Sequence, residues 1–137
     1  MKQNHKGFTL LEIIIVIIIV GVLASLALPR FFATVEFSRS NEALTNMSAL
    51  RQALERCYLS VGGTYANCNE TSVDIDNPST APGALFSYAV SGQGATGYLI
   101  TATRNTISGG VSTSLIYLSQ SAAGSTRSGA TKFIGIK

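Results

Sequence analysis

Tryptophan is absent from this chain of 137 residues, histidine occurs once, and Asp, Glu, Lys and Arg together make up only 12% of it. Each scarcity removes a class of function. The single histidine is His5, so beyond the first few residues there is no imidazole to act as a general base, and no Ser-His-Asp or Cys-His set can be assembled. No Gly-rich phosphate loop of the Walker kind occurs. Cysteine is limited to Cys57 and Cys68, too few for a structural zinc site of four protein ligands. Glu70, Asp74 and Asp76 form a small acidic group, but their spacing is not that of an EF-hand, and a solvated loop is the plainer reading. The formal charge of +3 includes Lys2 and Lys6, so the rest of the chain is nearly neutral and offers no basic surface for nucleic acid. The expectation is a protein that is not an enzyme, with no catalytic residue, no cofactor, no metal site and no nucleic-acid partner.

What the chain does have is one long apolar run. Residues 8–28 carry a single charge, Glu12, and residues 13–20 read Ile-Ile-Ile-Val-Ile-Ile-Ile-Val without a polar group. Ile and Val favour strands in water. Strands seldom exceed ten residues, however, whereas a helix of this length spans roughly 30 Å, the hydrocarbon thickness of a bilayer. In lipid a helix also satisfies its own backbone. Three readings fit such a segment. A secretory signal would use the small residues Ser25-Leu26-Ala27 for cleavage, and a plain membrane anchor would need no cleavage at all. Both leave Glu12 without a purpose, and a carboxylate in hydrocarbon costs about 2.5–3.5 kcal/mol even on the mild insertion scale.

The third reading comes from the boundary residues Lys6-Gly7-Phe8-Thr9-Leu10-Leu11-Glu12. This segment resembles the prepilin signal shared by type IV pilins and type II secretion pseudopilins. The resemblance implies cleavage by a prepilin peptidase between Gly7 and Phe8, leaving the apolar helix on the mature protein, and N-methylation of Phe8. It implies that Glu12 meets the N-terminal amine of a neighbouring subunit during assembly. A charge pair inside a dry bundle tolerates little displacement and would fix axial register. The simpler role for Glu12 is to complement the positive end of its own helix. Gly21 and Pro29 match positions between which such helices unwind in assembled filaments; a gentle kink at Pro29 is the alternative. The implied partners are further copies of the chain in a helical filament, the peptidase, the inner membrane, and pilus or secretion assembly machinery. The implied location is the inner membrane, then an extracellular filament, with the head periplasmic or extracellular.

Past Pro29 the pattern becomes one-faced. Leu44, Met47, Leu50, Leu54, Cys57, Tyr58 and Val61 recur at steps of three or four, while Glu36, Arg39, Glu42, Arg51, Glu55 and Arg56 occupy other positions. Gly62-Gly63 supplies a stop, so one helix is expected from about Phe8 to Leu59. The remainder is rich in Ser, Thr, Gly and Ala, with strand-prone runs at residues 85–90, 98–103, 115–118 and 132–136. Turn-formers separate them at residues 91–94, 108–110 and 124–129. The expected fold class is α+β: a long N-terminal helix whose amphipathic half packs on an antiparallel sheet of three or four strands, resembling the pilin roll. The expected segments are a leader at residues 1–7, a transmembrane and filament-core helix at 8–29, an amphipathic helix at 30–63, and a loop plus sheet at 64–137.

An exported head meets an oxidising compartment, so Cys57 and Cys68 are expected to form a disulfide near the helix end. Many pilins instead close a loop near the C-terminus, so a receptor-facing loop is not supported here. Asn46-Met47-Ser48 and Asn69-Glu70-Thr71 fit the glycosylation triplet, but the first falls within the helix. Phe8, Phe31, Phe32, Phe37 and Tyr58 could stack for electron transfer along a fibre, although aromatics at these places also suit an ordinary core. The leading function is a structural subunit of a type IV pilus. The alternatives are a pseudopilin of a type II secretion system and a membrane-tethered exported binding domain. The boundary motif predicts a mature chain that begins at Phe8 and is heavier by one methyl group. Intact mass and N-terminal sequencing of protein from the membrane or sheared surface fraction check this, and a chain beginning near Leu28 or at Met1 would refute it.

Overall fold

The computed structural model describes residues 7–137. Positions 1–6 of the expected leader, with Lys2, His5 and Lys6, lie outside the described residues. The described residues form one helix, α1 (Leu10–Ser60), and four strands, β1 (Phe86–Ser91), β2 (Tyr98–Arg104), β3 (Leu115–Ser121) and β4 (Gly124–Gly129). Single 3-10 turns lie at Pro78–Thr80, Ile107–Gly109 and Thr131–Phe133. The chain divides into two units, Met1–Val35 and Glu36–Lys137.

In the first unit the helix begins two residues later than expected, and Thr9 is the reason. Its hydroxyl and its carbonyl both accept from the backbone N–H of Glu12, at 3.3 and 3.1 Å. Thr9 is therefore the N-cap, and Glu12 stands at the third helical position of a Thr-x-x-Glu cap. Downstream, Gly21 and Pro29 are both helical. Pro29 has no N–H to offer the Ser25 carbonyl, which weakens the ladder there without breaking it. The Ser25 and Thr34 hydroxyls bond back to the carbonyls of Val22 and Arg30.

In the second unit α1 turns one face inward. Ser40, Ala43, Met47, Leu50, Ala53 and Leu54 are buried on it, at the three-and-four spacing of a helical stripe. The helix stops at Gly62 and Gly63, whose φ values of +85° and +83° suit glycine. The Gly63 N–H closes the end on the Tyr58 carbonyl at 2.9 Å. Val61, expected on the buried stripe, lies past the helix and is exposed.

The strands form an antiparallel meander in the order β1-β2-β3-β4. Register pairs Tyr88 with Ala102, Ile100 with Leu118 and Ile116 with Gly129. Alternation then places Phe86, Tyr88, Val90, Tyr98, Ile100, Ala102, Ile116 and Leu118 on one face, in a core with Met47, Leu50 and Leu54. The α+β class with a long N-terminal helix and an antiparallel sheet is the one found, with four strands.

The fourth strand is not where the sequence reading put it. Residues 124–129, read as turn-formers, form β4, while residues 132–136, read as a strand, make a turn and a tail. The hairpin closes through Ala122 and Ala123, with Ser121 facing Gly124. Phe133 and Ile136 are buried and Ile134 between them is exposed, a spacing of three rather than the two of a strand. Phe133 packs on Phe86 with ring centroids 5.6 Å apart. That packing needs Gly129, because a Cβ there would overlap the Phe133 carbonyl. Gly129→Ala is expected to cost about 1–3 kcal/mol, the usual range for overpacking, and to lower the melting temperature by several degrees. Gly94→Ala, where nothing lies within 4 Å of the added carbon, serves as the control and should change stability by less than about 0.5 kcal/mol. Thermal unfolding in detergent checks both.

Candidate assembly surface

Gly7 and Phe8 precede the first helical residue and are exposed, so the bond between them lies in open, non-helical chain. Every large apolar side chain from Phe8 to Leu28 is between 42% and 78% exposed. This stretch is apolar and long enough to cross a membrane. Glu12 is exposed within it. Its N–H is held by Thr9, but among the described residues its carboxylate has no hydrogen-bond or ionic partner. The surface therefore presents one negative group, one turn from a helix end whose N–H groups point outward. Gly21 and Pro29 lie on the same exposed stretch. Phe31 and Phe32 are exposed and meet edge to face at 6.0 Å.

The head is organised around a buried ion pair that sequence reading missed. Arg104 is fully buried, and its Nε donates to Glu36 Oε1 at 2.6 Å. Its Nη1 donates to the carbonyls of Leu85 and Asn105, and the guanidinium lies 5.6 Å from the centre of the Phe86 ring. Arg39 grips the other Glu36 oxygen at 2.9 Å and donates to the Ser108 carbonyl. Glu42 accepts from the Leu85 N–H. Glu36, Arg39 and Glu42, which the sequence pattern placed only off the apolar stripe, tie the helix to the sheet and its loops. The signals were present: Arg104 continues the inward parity of Tyr98, Ile100 and Ala102, and Thr9 stands three residues before Glu12.

Cys57 and Cys68 form a disulfide with Cα atoms 6.0 Å apart. It closes the connection behind the helix end. Beside it, Tyr65 stacks between Tyr58 and Tyr98, at 4.6 and 4.8 Å between centroids. Tyr65 and Tyr98 both donate to Glu55. Burial, with help from the Glu55 hydrogen bond, pushes the Tyr65 phenol up to about 12, and burial also raises Tyr98. Tyr58 therefore belongs to the core packing of the head rather than to an exposed aromatic track. The acidic group of the loop is dispersed. Glu70 accepts from the Val90 N–H at 3.0 Å, and Asp74 is paired with Arg56. The Arg56 guanidinium holds the Asp74 carboxyl below its ordinary value. Among the described residues no group of three or more potential ligands could hold a metal. Of the glycosylation triplets, Asn46 bonds the Tyr88 hydroxyl and Asn69 is folded into a turn with Thr71 and Ser72.

The described residues thus form an unburied apolar helix, with one carboxylate that has no partner among them, followed by a small disulfide-closed α+β head. Residues 2–28 match the family model described as the prokaryotic N-terminal methylation motif. The chain is 32% identical over 89 residues to the type IV major fimbrial protein FimA of Dichelobacter nodosus, an alignment covering 59% of this chain and 57% of that one. It is 35% identical over 83 residues to the type II secretion system core protein G of Aeromonas hydrophila, covering 59% and 57%. It is 38% identical over 66 residues to the type IV major pilin protein PilA of Myxococcus xanthus, covering 48% and 30%. The chain thus spans under two thirds of the length of these relatives. No solved structure gives a significant match. In this motif and over these alignments the chain is similar to type IV pilins and type II secretion pseudopilins.

The Glu36–Arg104 pair makes a sharp prediction for the head. Glu36→Ala leaves a buried guanidinium with an open position beside a group, Nη2, that already lacks a partner. The expected loss is about 3–5 kcal/mol, read by denaturant unfolding, whereas Arg56→Ala, which breaks only the exposed Asp74 pair, should cost under about 1 kcal/mol.

Proposed function

We propose that this chain is a structural subunit of a type IV pilus. A prepilin peptidase cuts after Gly7, Phe8 is N-methylated, and the subunit waits in the inner membrane with residues 8–29 as its anchor. Assembly machinery then moves the helix from lipid into a filament core made of further copies. Residues 30–63 and 64–137 form the head, which passes from the periplasm to the extracellular filament. The observation that supports this reading best is Glu12, the one charge on an exposed apolar helical surface and without a side-chain partner among the described residues. A lipid anchor gains nothing from a carboxylate. A helix packed beside a neighbour's amine gains a register-fixing contact. The region between Gly21 and Pro29, where the ladder is weakest, is the place for local unwinding in the filament.

The similarity to a type II secretion core protein supports a second reading, a pseudopilin. The sequence beyond Asp76 contains no Asp or Glu. A C-terminal calcium loop, which the resemblance implies for the commonest pseudopilin type, would therefore lack anionic side chains here. That favours the pilus. The test is Glu12→Ala in the full chain. Cleavage, methylation and membrane level are expected to stay at wild type while sheared surface filament falls about tenfold or more. Normal filament yield from that variant would overturn the reading.

A further inference from the structure

The two edges of the sheet are finished differently. The outer edge of β1 is covered: the Ser79 hydroxyl accepts from the Tyr88 N–H at 2.8 Å, and Glu70 accepts from the Val90 N–H at 3.0 Å. The loop carrying these residues occupies the place where another strand would pair. The outer edge of β4 is bare. No residue of Gly124–Gly129 is buried, and among the described residues no hydrogen bond beyond the ladder to β3 reaches positions 125–128. Arg127 pairs across the ladder with Leu118, a core residue, and so stands on the core-facing side of the sheet. It is nevertheless exposed, because the core does not extend to β4. A strand with neither face buried is held by one ladder alone, and an open edge invites a partner.

Charge is divided across the same axis. All seven acidic residues of the chain lie at or before Asp76, while the charged residues after it are Arg104, Arg127, Lys132 and Lys137. Arg104 is consumed by Glu36. Arg127 and Lys132 are exposed and, among the described residues, have no ionic partner. In the loop flanking β1, Glu70 is bonded to the β1 backbone and Asp74 to Arg56, which leaves Asp76 as the exposed carboxylate without a partner.

We propose that the β4 edge docks against the loop around Asp76 of a second copy of this chain, with Arg127 of one head facing Asp76 of the next. The occupant follows from complementarity: Arg127 stands on β4 and Asp76 in the loop that flanks β1, with β2 and β3 between those strands, so an exposed cation and an exposed carboxylate are offered on different parts of one head. Contact between two different patches is heterologous. It propagates in one direction and yields an open helical assembly unless the rotation happens to close. The loop side chains that cover β1 prevent the alternative of strand-to-strand pairing, so the contact is one of side chains and charge. It is correspondingly expected to weaken with salt.

This inference rests on the filament reading above, and the test separates the two. Full-length Arg127→Glu, Asp76→Arg and the double variant are expressed in place of the wild type. Membrane level and the mature N-terminus at Phe8 report folding and processing. Each single reversal is expected to lower sheared filament yield about fivefold or to make the filaments fall apart in moderate salt that the wild type withstands. The double variant, which restores the attraction in reverse, is expected to recover at least half of the wild-type yield. Wild-type yield and salt resistance from both single variants would overturn the proposal, and so would single losses that the double variant does not repair. Absence of any filament from the wild type would instead sink the filament reading itself.

Discussion

Residues 8–28 display an apolar surface that the described residues do not cover, and where the molecule can exist depends on it. Fifteen large apolar side chains in this stretch are exposed. At about 1.5 kcal/mol or more for each side chain removed from water, their burial is worth on the order of 20 kcal/mol. A small head domain folds with only about 5–15 kcal/mol in hand. Nothing within the head could offset leaving such a surface wet, so a water-free environment, whether lipid or other protein, sets where the protein can exist. Inside either environment the backbone must be self-satisfied, which is why the cap at Thr9 matters. It removes one unpaired donor at the terminus that enters the apolar phase. It also leaves the carboxylate of Glu12 uncommitted, whereas in a fully reciprocal capping box that carboxylate would be spent on the cap.

The head solves a separate problem. With helix on one side and a four-stranded sheet on the other, it has one thin core. The Cys57–Cys68 bridge limits the freedom of the unfolded chain just where the helix ends, a gain of up to about 3 kcal/mol in the chain-entropy account. The Glu36–Arg104 pair acts elsewhere. Burying two charges is as likely to lose as to gain against a purely apolar contact, so its value lies less in net stability than in selection. A helix slid by one turn along the sheet would separate Glu36 from Arg104 and leave the buried guanidinium without its carboxylate. The pair therefore fixes the seat of α1 on the sheet in a way that leucines and isoleucines, interchangeable in shape, do not.

Legibility in the sequence followed the physics of each signal. The apolar run, the helical stripe of Met47, Leu50 and Leu54, and the first three strands were readable because periodicity directly reports burial. The Cys57–Cys68 disulfide was readable because an exported head with only two cysteines in an oxidising compartment has one pair to make. The fourth strand was not. Gly-Ser-Thr-Arg-Ser-Gly has no apolar face, since it buries nothing, and a strand that buries nothing leaves no periodic trace. Phe133 and Ile136 were apolar for a different purpose, closing the end of the core from a turn, and so imitated a strand. Arg104 was missed for a related reason. Pattern reading treats arginine as solvent-facing, whereas parity along β2 put it inside. The cap at Thr9 was overlooked because the surrounding motif invited attention to Glu12 alone.

These two failures share a cause that bears on how such a subunit works. Polar residues at inward positions, such as Arg104, and apolar-free strands at the periphery, such as β4, are both places where the chain's own core does not dictate the residue. At Arg104 the demand comes from Glu36 on the helix, a contact between elements far apart in sequence. At β4 no demand from within the head is visible at all. Its register on β3 is held by the short Ala122-Ala123 turn and by the tight approach of Gly129 to Phe133, which pins the strand at both ends while leaving its middle uncommitted. Pinning costs configurational entropy and would be superfluous for a loop that simply fills solvent. A polar strand held in register with its outer edge open presents a preformed surface, and preorganisation of that kind lowers the ordering cost of any contact made there.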